Sequence, residues 1–497
     1  MLRLRLVRLA FPLLACAALP ASAQSPASPE TAPSAPPASA PAPVQAAKPA
    51  EPTAGTPSAS VPQPAEPAGP AASNPKPAPA PKPAPLKFAA VSKDPRPTLG
   101  PDTFIATLRA ADRYRQMAEG GGWPSLPLGV TLKPGDKGAA VSILKQRLSA
   151  TGDLPPEAAP GSVFDAKVAA AVKLFQARHG LPETGLVGPK TVQAMNVPAE
   201  ARFRQLTQSA LRVSGSKFPF GERYVVVNIP SAVVEAIQGG EVIRRYVAVV
   251  GKTDRPSPAV ETRITSVNIN PTWTVPVSLI KKDIIPHMRK DHGYLAKMKI
   301  RILDAQGQEV DPARIDWSTE KAVNYTLRQD AGAANSLGHI RIDMPNRHAV
   351  YMHDTPTKRL FAGDARFHSS GCVRVADVKT FATWLLEGTL GPNGAWKEPD
   401  LNAAIAIAQR QDVRLVKPVP VAWVYLTGYA TVDGVVHFRD DIYGLDAAGE
   451  PAPAPAPQAS ERADVSATAS IKPPRDIGPK PPTPLRQPVL HSIAPRN

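Results

Sequence analysis

The spacing of apolar residues along this chain changes period several times. Between 102 and 119, Phe104, Leu108, Ala111 and Tyr114 recur at helical spacing, and Gly120-Gly121-Gly122 ends the run. Residues 132–198 hold three shorter stretches of the same kind. Val141, Leu144 and Leu148 form the first, Phe164, Val168, Val172 and Phe175 the second, and Thr191 to Met195 the third. With Gly180 and Gly185 at turns, this predicts a small helical bundle. Another helix is predicted over 201–213.

From Arg223 the period falls towards two. Residues 224–230, 242–251 and 262–271 read as strands. Between 279 and 330 the strand pattern breaks into a basic, partly helical stretch followed by the strand-like KIRILD. Strand, turn and strand return over 338–352, with His353 at the end. A helix with Val378, Phe381, Trp384 and Leu385 inward follows, then a helix from 401 and strands around Asp433-Gly434, a hairpin signal. The expected fold class is multidomain α+β: a β-rich domain with a helical insertion, a three-helix bundle, a helical scaffold and disordered Pro-rich tails.

Composition adds the tails and the compartment. Of 497 residues 60 are proline, concentrated near the two ends. Segments 24–98 and 448–497 lack the apolar area needed to offset the entropy of ordering them. Residues 1–23 carry Arg3, Arg5 and Arg8, an apolar run and Ala21-Ser22-Ala23, the pattern of a secretory signal peptide. Export is expected; a lipoprotein anchored through Cys16 is the alternative. Cleavage after residue 23 would leave Cys372 as the one cysteine and exclude an intrachain disulfide. No second apolar run is long enough to span a bilayer. The net charge of +16 favours an anionic partner. No zinc-finger or RNA-binding motif accompanies it, so a polyanionic wall fits and a nucleic-acid partner is not expected.

The chemistry concentrates in residues 353–375, HDTPTKRLFAGDARFHSSGCVRV. A thiolate is a strong nucleophile, and an imidazole can take its proton and return it to a leaving amine. Ser369, Ser370 and Gly371 let the backbone bend around Cys372, so the N–H groups of Gly371 and Cys372 are expected to face a developing oxyanion. Spacing does not choose between His353 and His368 as base. A lone cysteine is otherwise a small buried side chain. Arg374 suits a substrate carboxylate or a structural ion pair. Trp273 and Tyr351 line either a cleft or the core. His287 and His292 lack metal-ligand spacing.

This stretch resembles the catalytic segment of the YkuD-type L,D-transpeptidases, in particular their large periplasmic branch. The resemblance rests on YMHDTP (351–356), SSGCVRV (369–375), NSLGHIRIDMPN (335–346), NPTWTVP (270–276) and YLTGYATVDGVVHFRDDIYG (425–444), and covers roughly 100–445. Residues 132–198 are similar to a three-helix peptidoglycan-binding domain. The resemblance implies Cys372 as nucleophile and His353 as base, with no metal or other cofactor; Arg374, His368, Ser370, Tyr351 and Trp273 are the candidates for binding substrate, with a supporting hydrogen bond expected of His368 rather than catalysis. Ser370 and Arg374 stand where many members carry His and Asn. It also implies a scaffold at 99–131 and 199–222, a catalytic domain at 223–400 with a capping insertion at 279–330, and a helix and hairpin at 401–447 completing the scaffold. The implied reaction forms 3→3 cross-links between diaminopimelates of peptidoglycan tetrapeptide stems, with release of D-alanine, by an enzyme expected to be periplasmic and monomeric and to work beside other wall-synthesis proteins. Three rivals remain: another wall acyl transfer (a 1→3 link or attachment of an outer-membrane protein), a non-catalytic wall-binding protein, and a metal site from His353, Asp354, His368 and Cys372.

Overall fold

The structure, a computed structural model, describes residues 88–447. The expected signal peptide, the linker up to 87 and the tail from 448 lie outside the described residues.

Helix α1 (Thr103–Glu119) buries Thr103, Thr107, Ala110, Ala111 and Tyr114. Leu108, expected on this stripe, is exposed, because the buried line runs through 103, 107, 110 and 114. Helices α2 (Ala139–Ala150), α3 (Ala166–Arg178) and α4 (Pro189–Met195) close on one core that includes Leu144, Leu148, Phe164, Val172, Phe175 and Met195. Asp165 caps α3 by accepting from the Val168 N–H at 2.9 Å. Helix α5 (Ala199–Val213) packs against α1.

Nine strands make the main sheet. They are β1 (Arg223–Asn228), β2 (Val233–Gln238), β3 (Glu241–Gly251), β4 (Val260–Ile269), β8 (Ile340–Asp343), β9 (Met352–His353), β10 (Phe367–Ser369), β11 (Val373–Val375) and β14 (Gln411–Val424). Their order is β10-β3-β11-β9-β8-β4-β14-β1-β2, and a β2–β3 pairing closes the circuit. Val225 and Val227 face the core with Val267, Ile342, Met352, Val373 and Val421, while Tyr224 and Val226 pack outward with Val213 and Phe218. Burial on both faces accounts for the unbroken apolar run at 224–227. Helices α9 (Val378–Leu385) and α10 (Glu398–Ala406) contribute Val378, Phe381, Leu385 and Leu401 to the same core. Trp384, expected inside, is half-buried and lies under the Arg223 guanidinium.

Three expectations are corrected. Strand β2 was not anticipated, because Glu235 interrupts its apolar pattern; the carboxylate is buried against Arg245 at 2.8 Å and the Thr98 N–H at 2.8 Å. The linker was expected to run to 98, yet residues 88–98 lie on the domain. Phe88 meets Phe361 edge-on, and Arg245 donates to the Arg96 carbonyl at 2.7 Å. The boundary at 400 would divide the sheet: β14 sits between β4 and β1, antiparallel to one and parallel to the other.

The insertion has its own core of Ile280, Ile284, Met288, Leu295, Ile302 and Leu327. It comprises β5 (Trp273–Thr274), α6 (Val277–Leu279), a π-helical turn (Ile280–Ile284), α7 (Ile285–Lys290), α8 (Tyr294–Lys297), β6 (Ile300–Leu303) and β7 (Thr326–Gln329). The three strands form a separate sheet, so the unit starts at 273 rather than 279. Beyond α9, β12 (Leu390–Gly391) and β13 (Gly394–Ala395) form a ribbon, and β15 (Gly428–Ala430) and β16 (Val436–Phe438) form the hairpin expected around Asp433-Gly434.

Candidate active site

The site is set by register. Strand β11 runs parallel to β9 with Val373 beside Met352 and Arg374 beside His353. Strand β8 runs antiparallel to β9 with Arg341 beside His353. Because side chains alternate along strands, Ile342, Met352 and Val373 go to the core while Arg341, His353 and Arg374 share the other face. One step back, Cys372 stands level with Tyr351, and the Val373 N–H donates to the Tyr351 carbonyl at 3.1 Å. The segments carrying the cysteine and the upstream histidine are therefore adjacent.

His353 is 5% exposed. Its Nδ1 lies 2.5 Å from the Asp354 carbonyl oxygen, which can only accept. Nδ1 thus carries the proton of the neutral ring and Nε2 is left as the acceptor. Burial, reinforced by Arg374, pushes the imidazole down to about 3. The Asp354 carboxylate accepts from the His339 N–H at 3.0 Å and from Lys358. Gly338 has φ of 62°, and a Cβ there would meet Asp354 Oδ2 at 2.4 Å. Gly338 is therefore required both by its backbone and by the approach of this carboxylate.

Cys372 is a free thiol, held above its ordinary value by burial, against the opposing pull of the Tyr351 N–H, Arg341 and Arg374. Ser369 Oγ donates to the Cys372 carbonyl at 2.5 Å and accepts from the Gly371 N–H at 3.2 Å. This corrects the expected pair of oxyanion donors: the Gly371 N–H is already engaged. The Cys372 N–H makes no hydrogen bond among the described residues.

The other nominated residues divide. Arg374 is half-buried, burial lowers its pKa, its Nε has no partner, and it forms no ion pair among the described residues. Tyr351 and Trp273 line one pocket with Arg341, Asn268 and Arg410. Ser370 is exposed and its Oγ accepts from Arg255 at 3.2 Å. His368 is exposed with Nε2 3.1 Å from the Ala365 carbonyl. Strand alternation in β10 turns it away from the buried Ser369 side, so it is not brought to Cys372. Among the described residues no three His, Cys, Asp or Glu side chains are grouped to hold a metal ion.

Sequence reasoning missed Arg341, Ser257 and the role of Asn335. The last is buried and donates to the carbonyls of Pro271 and Asp330, at 3.1 and 2.9 Å, tying both ends of the insertion to the sheet. Arg341 was legible in principle as the polar alternate of IRID at 340–343.

A family profile described as the YkuD L,D-transpeptidase catalytic domain matches residues 222–393, and one described as a putative peptidoglycan binding domain matches 137–195. A curated protein of Haemophilus influenzae, described as a putative L,D-transpeptidase, is 35% identical over 223 residues. That match spans 45% of this chain and 44% of the relative, less than half of each. Among solved structures, an L,D-transpeptidase of Xylanimonas cellulosilytica is 15% identical, covering 60% of this chain and 98% of that one with a TM-score of 0.19. An L,D-transpeptidase of Stackebrandtia nassauensis is 14% identical, covering 52% and 91% with a TM-score of 0.23. Scores this low support no structural conclusion. The family matches, together with the relative, establish that this chain carries a YkuD-type L,D-transpeptidase domain with an associated peptidoglycan-binding module.

Proposed function

We propose that this protein is a cysteine-dependent L,D-transpeptidase that joins two diaminopimelates of peptidoglycan stems in a 3→3 link. The observation that supports the reading is the parallel register of β11 on β9, which sets Arg374 beside His353 and brings the Cys372 segment next to the strand that carries His353. His353 Nε2 takes the thiol proton as Cys372 Sγ attacks the carbonyl of the L-centre of diaminopimelate in a tetrapeptide stem. The Cys372 N–H stabilises the oxyanion. The protonated imidazole then passes its proton to the departing D-alanine amine, leaving a thioester. The side amine of a second stem's diaminopimelate attacks that thioester, gives up a proton to His353, and releases the thiol.

Arg374, a half-buried cation with no acid partner among the described residues, takes a stem carboxylate. Trp273 and Tyr351 form the wall of the adjoining subsite. The insertion serves as a lid that keeps water from the thioester, consistent with the Arg255–Asp283 pair at 2.5 Å beside Ser370. The helices at 132–198 hold the glycan side of the wall, and the enzyme works in the periplasm as a monomer.

Tetrapeptide wall fragments incubated with the protein should yield a dimer lighter by one D-alanine whose fragmentation joins two diaminopimelates. A 1→3 link, a protein-attached stem, or unchanged fragments with retained wall binding would each replace this reading.

A further inference from the structure

The catalytic-domain profile match ends at residue 393, yet the loop behind Cys372 is braced by a residue fifty positions further on, within the 425–444 stretch. The Tyr443 hydroxyl donates to the Gly251 carbonyl at 2.7 Å and accepts from the Ser257 N–H at 3.2 Å. Ser257 Oγ accepts from the Gly251 N–H at 2.9 Å and donates to the Gly371 carbonyl at 2.7 Å. Tyr443 is itself held: its N–H donates to the Tyr425 hydroxyl at 2.8 Å, its ring stacks on Tyr425, and the Tyr425 hydroxyl donates to Asp441 at 2.6 Å. Ser257 is buried, and a Cβ on Gly251 would lie 2.4 Å from the Ser257 nitrogen, so this turn has no slack.

The consequence follows from peptide geometry. A trans peptide is planar, with its C=O and N–H pointing in opposite directions. Fixing the Gly371 carbonyl on Ser257 therefore fixes the aim of the Cys372 N–H, which has no hydrogen bond of its own among the described residues. We infer that Ser257, held by Tyr443, is the positioning residue that aims the Cys372 N–H at the oxyanion. This rests on the acyl-transfer reading above.

The test compares two reactions of one thiol in the full chain. Acylation by a tetrapeptide stem builds an oxyanion; alkylation by iodoacetamide does not. In Ser257→Ala and Tyr443→Phe, acyl-enzyme formation at saturating stem should fall on the order of 10-fold or more. KM and the rate and pH profile of alkylation should stay within about twofold, and Ser257→Thr should recover most of the acylation rate. Unchanged acylation, or acylation and alkylation falling together, would overturn the assignment. A wild-type protein that is alkylated at Cys372 but never acylated would instead overturn the acyl-transfer reading, and this one with it.

Discussion

At the scale of single residues, burial raises the Cys372 thiol and lowers the His353 imidazole, which favours the uncharged form of each. Alkylation of the free protein should therefore rise with pH, with a midpoint above the roughly 8.5 of a free thiol. Arg374→Met removes a cation that favours the thiolate, and the midpoint should move further up; a downward move would contradict the geometry. Cys372→Ala should abolish cross-linking and leave the urea midpoint in place. His353→Ala should lower the rate by about 10²–10⁴, whereas His368→Ala, on an exposed side chain turned to Ala365, should change it by less than about threefold. Stem turnover by the purified variants checks all three.

At the scale of elements, the insertion and the late strand make distinct demands. Arg255 joins Asp283 of the insertion to Ser370 of the cysteine loop. Asp283→Ala should loosen the insertion, and the ratio of thioester hydrolysis to transfer should rise; an unchanged ratio would remove the lid role. Strand β14 is central, so ending the chain at 410 should leave no cooperative unfolding transition, while a chain ending at 447 should keep it. This element also marks where sequence reading stopped. Apolar runs such as 224–227 and the Asp433-Gly434 turn were legible because local pattern and burial agree. The place of β14 between β4 and β1 was not, since pairing partners far apart in sequence leave no local trace. The same holds for the site. The cysteine and both histidines could be named from the chain, and spacing alone did not choose between the histidines; the resemblance pointed to His353, and register sets it beside Arg374 while His368 lies on the exposed side of β10. Glu235 was obscured because it is a charge placed on an apolar strand and paired there.

At the scale of the whole molecule, buried histidines govern acid stability. Burial pushes His353 and His437 to about 3 and also lowers His179. The folded state thus binds fewer protons than the unfolded one, where histidine titrates near 6.5. The stabilisation is complete above that value and is lost progressively as pH falls towards 3, by roughly 2 kcal/mol at pH 5 for each of His353 and His437. Asp446, whose carboxyl burial pushes up, works in the opposite direction. Urea midpoints at pH 7.5 and 5 should show a net fall on acidification; a rise would contradict it. The central claim is acyl transfer through Cys372, and intact-protein mass spectrometry after brief mixing with a tetrapeptide stem tests it most directly. The account predicts a mass gain equal to the stem less D-alanine, located on the peptide containing Cys372 and absent in Cys372→Ala. Cross-linking that continues in Cys372→Ala, or an adduct on another residue, would contradict it.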